Sequence, residues 1–297
     1  MRDAAVGRDR LGAGLLLIAV STVSYSAMPI FGKLAYASGL RPVSLLAWRF
    51  ALALVLLEVM ALRRTVARQP PRQRTILWGL GGVFVVNSYA YFAALERAPA
   101  ATVSLIVYTY PVLVTLLSAA IGLDRLTVRG LAAALLAAAG AGLTAGSAPG
   151  GFRGAGVWLA LASAVGYASY IILGSRFASG VPTKTAARHV AQACTAFYVP
   201  LAAMRGEPML PRSPSGWVAV LGLGLVCTVV AIRAFLAALE RLGPARAAVA
   251  SSLEVPITLL LAMAFLGEAV ALQQWGGGAL ILGAVVLQNW PGRRTKI

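Results

Sequence analysis

The amino-acid sequence predicts an all-α membrane protein with ten transmembrane helices arranged as two inverted-topology five-helix repeats. Three observations predict it: near-continuous apolar runs, an internal repeat, and an odd number of runs in each half. Of 297 residues, 59% are hydrophobic and 12% are charged. A soluble domain of this length exposes far more charge, and no single core could absorb so many apolar runs.

Ten runs of about 20 residues, the length that crosses a hydrocarbon core as a helix, can be read in order. They span 11–31, 43–62, 75–95, 99–121, 127–146, 154–174, 186–204, 216–239, 245–266 and 270–290. The first follows a basic head, as a secretory signal does. Its Gly-Ala-Gly at 12–14 with Tyr25 returns, however, as Gly-Ala-Gly at 154–156 with Tyr167. The first run therefore belongs to the repeat and is expected to be retained.

The repeat is plainest between 93–122 and 237–267. Ala-Ala-Leu-Glu-Arg stands at both 93–97 and 237–241. Pro99 then matches Pro244, Pro111 matches Pro256, and Gly122 matches Gly267, after a one-residue insertion. A Pro- and Gly-rich linker at 147–153 separates the first repeat, 1–146, from the second, 154–297. Five helices per repeat require the second to enter the membrane in the opposite sense, the plan of many secondary transporters. The fifth and tenth runs are rich in Gly and Ala, which suits close helix packing. Gly276 to Gly278 lack the strand–loop–helix setting of a phosphate cradle.

Loop charge orients the chain. Of the 26 basic residues, 18 lie in the termini and even-numbered connections and 6 in the odd ones. That bias predicts cytoplasmic termini. The net charge of +17 is spread over short loops with no basic face or aromatic platform, so no nucleic-acid partner is expected. Cys194 and Cys227 sit inside apolar runs, and His189 is the one histidine. Neither a metal site nor a His-based catalytic set is expected.

Ionisable groups in a span pair with each other or line a water-filled path. Arg49, Arg233 and Glu254 stand out; Glu58 is close enough to a helix end to reach water or Arg63. Arg233 lies seven residues before Glu240, and Glu254 lies eight after Arg246. In a hairpin both reach roughly 10–12 Å from its end, at about 1.5 Å per residue. The pair is read either as a fixed bridge between two helices or as charges facing a substrate or proton in a cavity. Pro111 and Pro256 each free a backbone carbonyl, and broken helices near the midplane are where transporters build sites. With the repeats aligned, Tyr89 takes the place of Arg233, flanked by Asn87 and Tyr91. Tyr25, Tyr167 and Tyr108 complete a set whose rings can pack or stack on a ligand. Arg49, His189, Pro111 and Pro256 are candidates for gating or coupling, and the others for substrate binding.

These features resemble the EamA-type transporters of the drug/metabolite transporter superfamily. The residues that carry the resemblance are 93–99 and 237–244, then Thr-Tyr-Pro at 109–111 and Leu-Glu-Val-Pro at 253–256. Gly-Leu-Asp at 122–124 departs from the usual Gly-Glu, and Val255 separates a glutamate and a proline that are often adjacent. The resemblance implies a bacterial-type inner-membrane exporter of amino acids, related metabolites or small drugs, without organic cofactor or enzymatic chemistry. It also implies a central cavity lined by the first, third, fourth, sixth, eighth and ninth helices. The reading is a secondary transporter of small polar or zwitterionic metabolites, acting in the lipid bilayer as a monomer or homodimer. A lipid-head-group flippase of the same superfamily is one alternative, and an intramembrane enzyme is another.

Overall fold

The computed structural model describes residues 2–62, 69–123, 126–148, 151, 154–178, 180–242 and 250–289. Asp124, much of the 147–153 linker, the Gly243–Pro244 turn, and Arg63, Arg246 and the basic C-terminus lie outside the described residues. Among the described residues every regular element is helical. Seven helical stretches are long and apolar enough to cross a membrane. With Thr183–Met204, Glu254–Leu266 and Leu272–Asn289 they follow the ten expected segments in order.

Four segments are not plain α-helices. The first breaks at Ala27, between Arg2–Ser26 and Met28–Ala37, just before Pro29. The fourth breaks between Ala100–Val107 and Tyr110–Ala120, at Tyr108 and Thr109, with Pro111 in the new first turn. The ninth turns at Ser252 and Leu253 before Glu254–Leu266, with Pro256 in the same place. Proline cannot donate the helical hydrogen bond and suits a first turn, so a break sits just before each one. The eighth, read as one apolar run, passes through π-helix over Gly222–Val230, between Pro214–Leu221 and Ala231–Leu242. The fourth and ninth segments also end alike, on Gly122 at φ +71° and Gly267 at φ +64°. That left-handed conformation ends a helix and favours glycine.

The segments pack in a pattern that maps onto itself when the halves are exchanged. The first rests on the eighth and the sixth on the third, while the second pairs with the seventh and the fifth with the tenth. The fourth–sixth contact likewise has its counterpart in the ninth–first contact. The fifth and tenth meet closely because Gly140 and Gly277 carry no side chain: a Cβ on either would press on the carbonyl oxygen of the other at 2.6 Å.

Candidate functional site: a central cavity between the repeats

The side opposite the chain start is closed by interlocked polar contacts. Glu207 accepts hydrogen bonds from the Ser44 backbone N–H and hydroxyl, each at 3.0 Å. Trp48 donates its indole N–H to the Met209 carbonyl at 2.5 Å, and Tyr36 donates to the Phe92 carbonyl at 2.7 Å. Glu268 accepts from the backbone N–H groups of Ala100 and Ala101 at 2.7 and 3.0 Å. Those donors belong to the first turn of the fourth segment, where a carboxylate also meets the positive end of the helix dipole.

Below this seal lies a cavity of about 440 Å³, within the size range of small-ligand sites. Its lining runs from Phe92 and Ser104 near the seal to Leu57 and Lys184 on the side where the chain starts. Tyr25, Asn87, Tyr91, Tyr108, Tyr167, Arg233, Glu254 and Arg49 all line it. The structure therefore gathers eight of the candidates around one space.

Four candidates lie elsewhere. Tyr89 faces a shallow crevice with Ala93, Arg97 and Trp158. The reason is helical period: Phe84, Asn87, Ser88 and Tyr91 share the cavity face, whereas Tyr89, Ala93 and Arg97, spaced by four, share another. Arg233, its aligned partner, does line the cavity, beside Thr228, Ile232 and Phe235, the counterparts of Phe84, Ser88 and Tyr91. The Nδ1 atom of His189 is bonded to the Thr185 carbonyl in its own helix at 2.9 Å, and the ring does not line the cavity. Pro111 and Pro256 shape the breaks without reaching the cavity wall.

Among the described residues, Arg233 and Glu254 do not form an ion pair. The three pairs are Arg97–Glu96, Arg188–Glu58 and Arg205–Glu207. Arg233 is exposed and Glu254 half-buried; among the described residues their helices do not pack on each other, and both rest on the first segment instead. Glu58 instead pairs with Arg188 at 2.6 Å and accepts from Gln192 at 3.2 Å, which ties the second segment to the seventh. These two segments also line the cavity, through Arg49, Phe50, Ala53 and Leu57 and through Lys184, Ala187, Val190 and Ala191. The six-helix lining expected from the resemblance is thus enlarged to eight.

A continuous aromatic wall is the part that the sequence reading missed most. Tyr108 meets Tyr110 with ring centroids 5.9 Å apart, Tyr110 meets Tyr167 at 4.7 Å, and Tyr167 stacks on Tyr170 at 6.2 Å. Tyr170 meets Phe84 at 4.9 Å, and Phe84 meets Phe50 at 6.0 Å. Tyr110, Tyr170, Phe84 and Phe50 were not singled out, although Tyr167 and Tyr170 have the i, i+3 spacing of one helix face. At one end Tyr108 donates to the Ser251 carbonyl at 3.0 Å, which fixes the fourth-segment break against the ninth. Ser26, beside the break in the first segment, likewise donates to the Glu254 carbonyl at 3.0 Å. Three interrupted helices thus meet at the cavity, and their carbonyls are engaged by side chains.

Known proteins place this architecture. The EamA-like transporter family matches residues 12–146 and again 154–290. The aromatic amino acid exporter YddG of Ancylobacter novellus is 32% identical over 216 residues, which span 68% of this chain and 73% of that protein. A solved crystal structure aligns with 96% of this chain and 99% of its own, at a TM-score of 0.67 and 27% identity. This multi-pass membrane protein, a transporter rather than an enzyme, belongs to the EamA-like transporter family.

Proposed function

We propose that the protein exports amino acids with large, aromatic side chains from the cytoplasm, by alternating access through the central cavity. One observation carries the reading: a cavity sealed on one side, walled by six aromatic rings, that holds both Arg49 and Glu254. Aromatic faces suit a flat apolar side chain, and fixed charges of both signs suit a zwitterion. The name of the Ancylobacter relative points to the same substrate class. Loop charge supports an inner-membrane orientation with cytoplasmic ends, in which this cavity opens inward.

In this reading Glu254 meets a substrate ammonium group or exchanges a proton, while Arg233 and Lys184 attract carboxylates at the mouth. Purified protein in liposomes should catalyse counterflow of phenylalanine, tyrosine or tryptophan without chemical change. Glu254→Gln should lower that counterflow at least tenfold or abolish its response to a pH gradient. Normal counterflow by the variant under both conditions would remove Glu254 from the mechanism. Movement of labelled phospholipid in place of amino acids would mark a lipid-head-group flippase.

A further inference from the structure

We propose that Arg49 is the receptor for a substrate carboxylate, so that tight binding in the cavity requires one. The inference rests on the transport reading above and deepens it. Arg49 is 8% exposed, yet it lines the cavity. Among the described residues its Nε donates to the Thr228 hydroxyl alone, at 3.5 Å, the long limit for a hydrogen bond. Thr228 gives its own proton to the Leu223 carbonyl at 2.8 Å, so its oxygen can only accept.

The guanidinium carbon lies 5.4 Å from the Phe50 ring centre and 5.5 Å from that of Phe92. Such contacts hold the guanidinium plane without neutralising it. No carboxylate of a described residue lies within 4.0 Å of Arg49. A guanidinium carries five donors, and among the described residues one weak bond leaves most of them unmatched. An uncompensated cation buried at membrane depth is costly unless an anion or water reaches it, and this one borders open space.

The ligand chemistry follows from the shape of the group. A guanidinium fork matches a carboxylate with two parallel hydrogen bonds. Phe50, next in the chain, belongs to the aromatic wall. A carboxylate held at Arg49 therefore leaves its own side chain beside the rings. Arg233 is exposed, which suits capture more than tight holding.

The test measures equilibrium binding by calorimetry on the purified full chain, with L-phenylalanine, 3-phenylpropanoate and phenethylamine as probes. The two carboxylates should bind, and phenethylamine should bind at least ten times more weakly. Arg49→Gln should weaken both carboxylates about ten- to a hundredfold and leave phenethylamine unchanged. Arg49→Lys should fall between, because a point charge replaces the fork. If Arg49→Gln does not fold, the probe series on the unaltered protein decides. Phenethylamine binding as tightly as phenylalanine, or no binding of either carboxylate, would overturn the proposal. Carboxylate-dependent binding without counterflow in liposomes would remove aromatic amino acids as the exported cargo and leave the role of Arg49 standing.

Discussion

Ser163 donates its hydroxyl to the Asn87 side-chain oxygen at 2.9 Å, so the sixth segment takes the acceptor end of that amide. The Asn87 NH2 group is then the donor offered to the cavity, a role fixed by a residue 76 positions away. Asn87→Ala would delete that donor and leave the buried Ser163 hydroxyl without its acceptor. A loss of about 1 kcal/mol of stability is expected, with about a tenfold loss of phenylalanine affinity. Melting temperature and calorimetry separate the two effects; unchanged affinity would place Asn87 among purely structural groups. Arg49, Asn87 and Glu254 were all legible in the sequence as polar residues where lipid would penalise them. Their partners were not, because the Ser163–Asn87 and Thr228–Arg49 contacts join segments far apart in the chain.

Among the helices, neighbouring glycines of the tenth segment have opposite environments. Gly276 faces open space, whereas a Cβ at Gly277 would meet the Gly140 carbonyl at 2.6 Å. Gly276→Ala should be neutral or stabilise by about 0.5–1 kcal/mol, since alanine is the better helix former. Gly277→Ala should cost about 1–3 kcal/mol by forcing two backbones apart. Thermal unfolding of the pair in one detergent compares them directly, and equal melting temperatures would mean that the fifth–tenth contact does not limit stability. The sequence showed that this pair of helices was rich in small residues; which glycine touches a backbone depends on the rotation of each helix. The π-helical stretch at Gly222–Val230 was illegible for a related reason. Its residues are apolar and unremarkable in pattern, and the Thr228 to Leu223 hydrogen bond that accompanies it spans five residues.

For the molecule as a whole, the contacts around Glu207 and Glu268 hold one side shut while the cavity reaches the other. Under the alternating access proposed above, these contacts break when the opposite side opens. Replacing both glutamates with alanine removes two carboxylates that satisfy backbone donors, about 1–2 kcal/mol each, and should shift the population towards opening on the sealed side. Ala187→Cys in a Cys194→Ala, Cys227→Ala background should report it, because Ala187 lines the open end. Labelling by an impermeant maleimide from the side of the chain start should fall severalfold when the two glutamates are replaced. An unchanged rate would show that the seal lies elsewhere.

The sequence by itself determined the helical membrane class, the doubling of five segments, the breaks at Pro111 and Pro256 and the polar residues worth watching. All of these follow from composition, period and local backbone chemistry, which a chain displays without knowing its neighbours. The tertiary structure decided which faces meet. It turned Tyr89 away from the cavity and kept Arg233 apart from Glu254. It brought the second and seventh segments to the lining, and it assembled rings from four segments into one wall. Those outcomes depend on the rotation of each helix about its axis and on contacts between distant segments, and a linear pattern specifies neither.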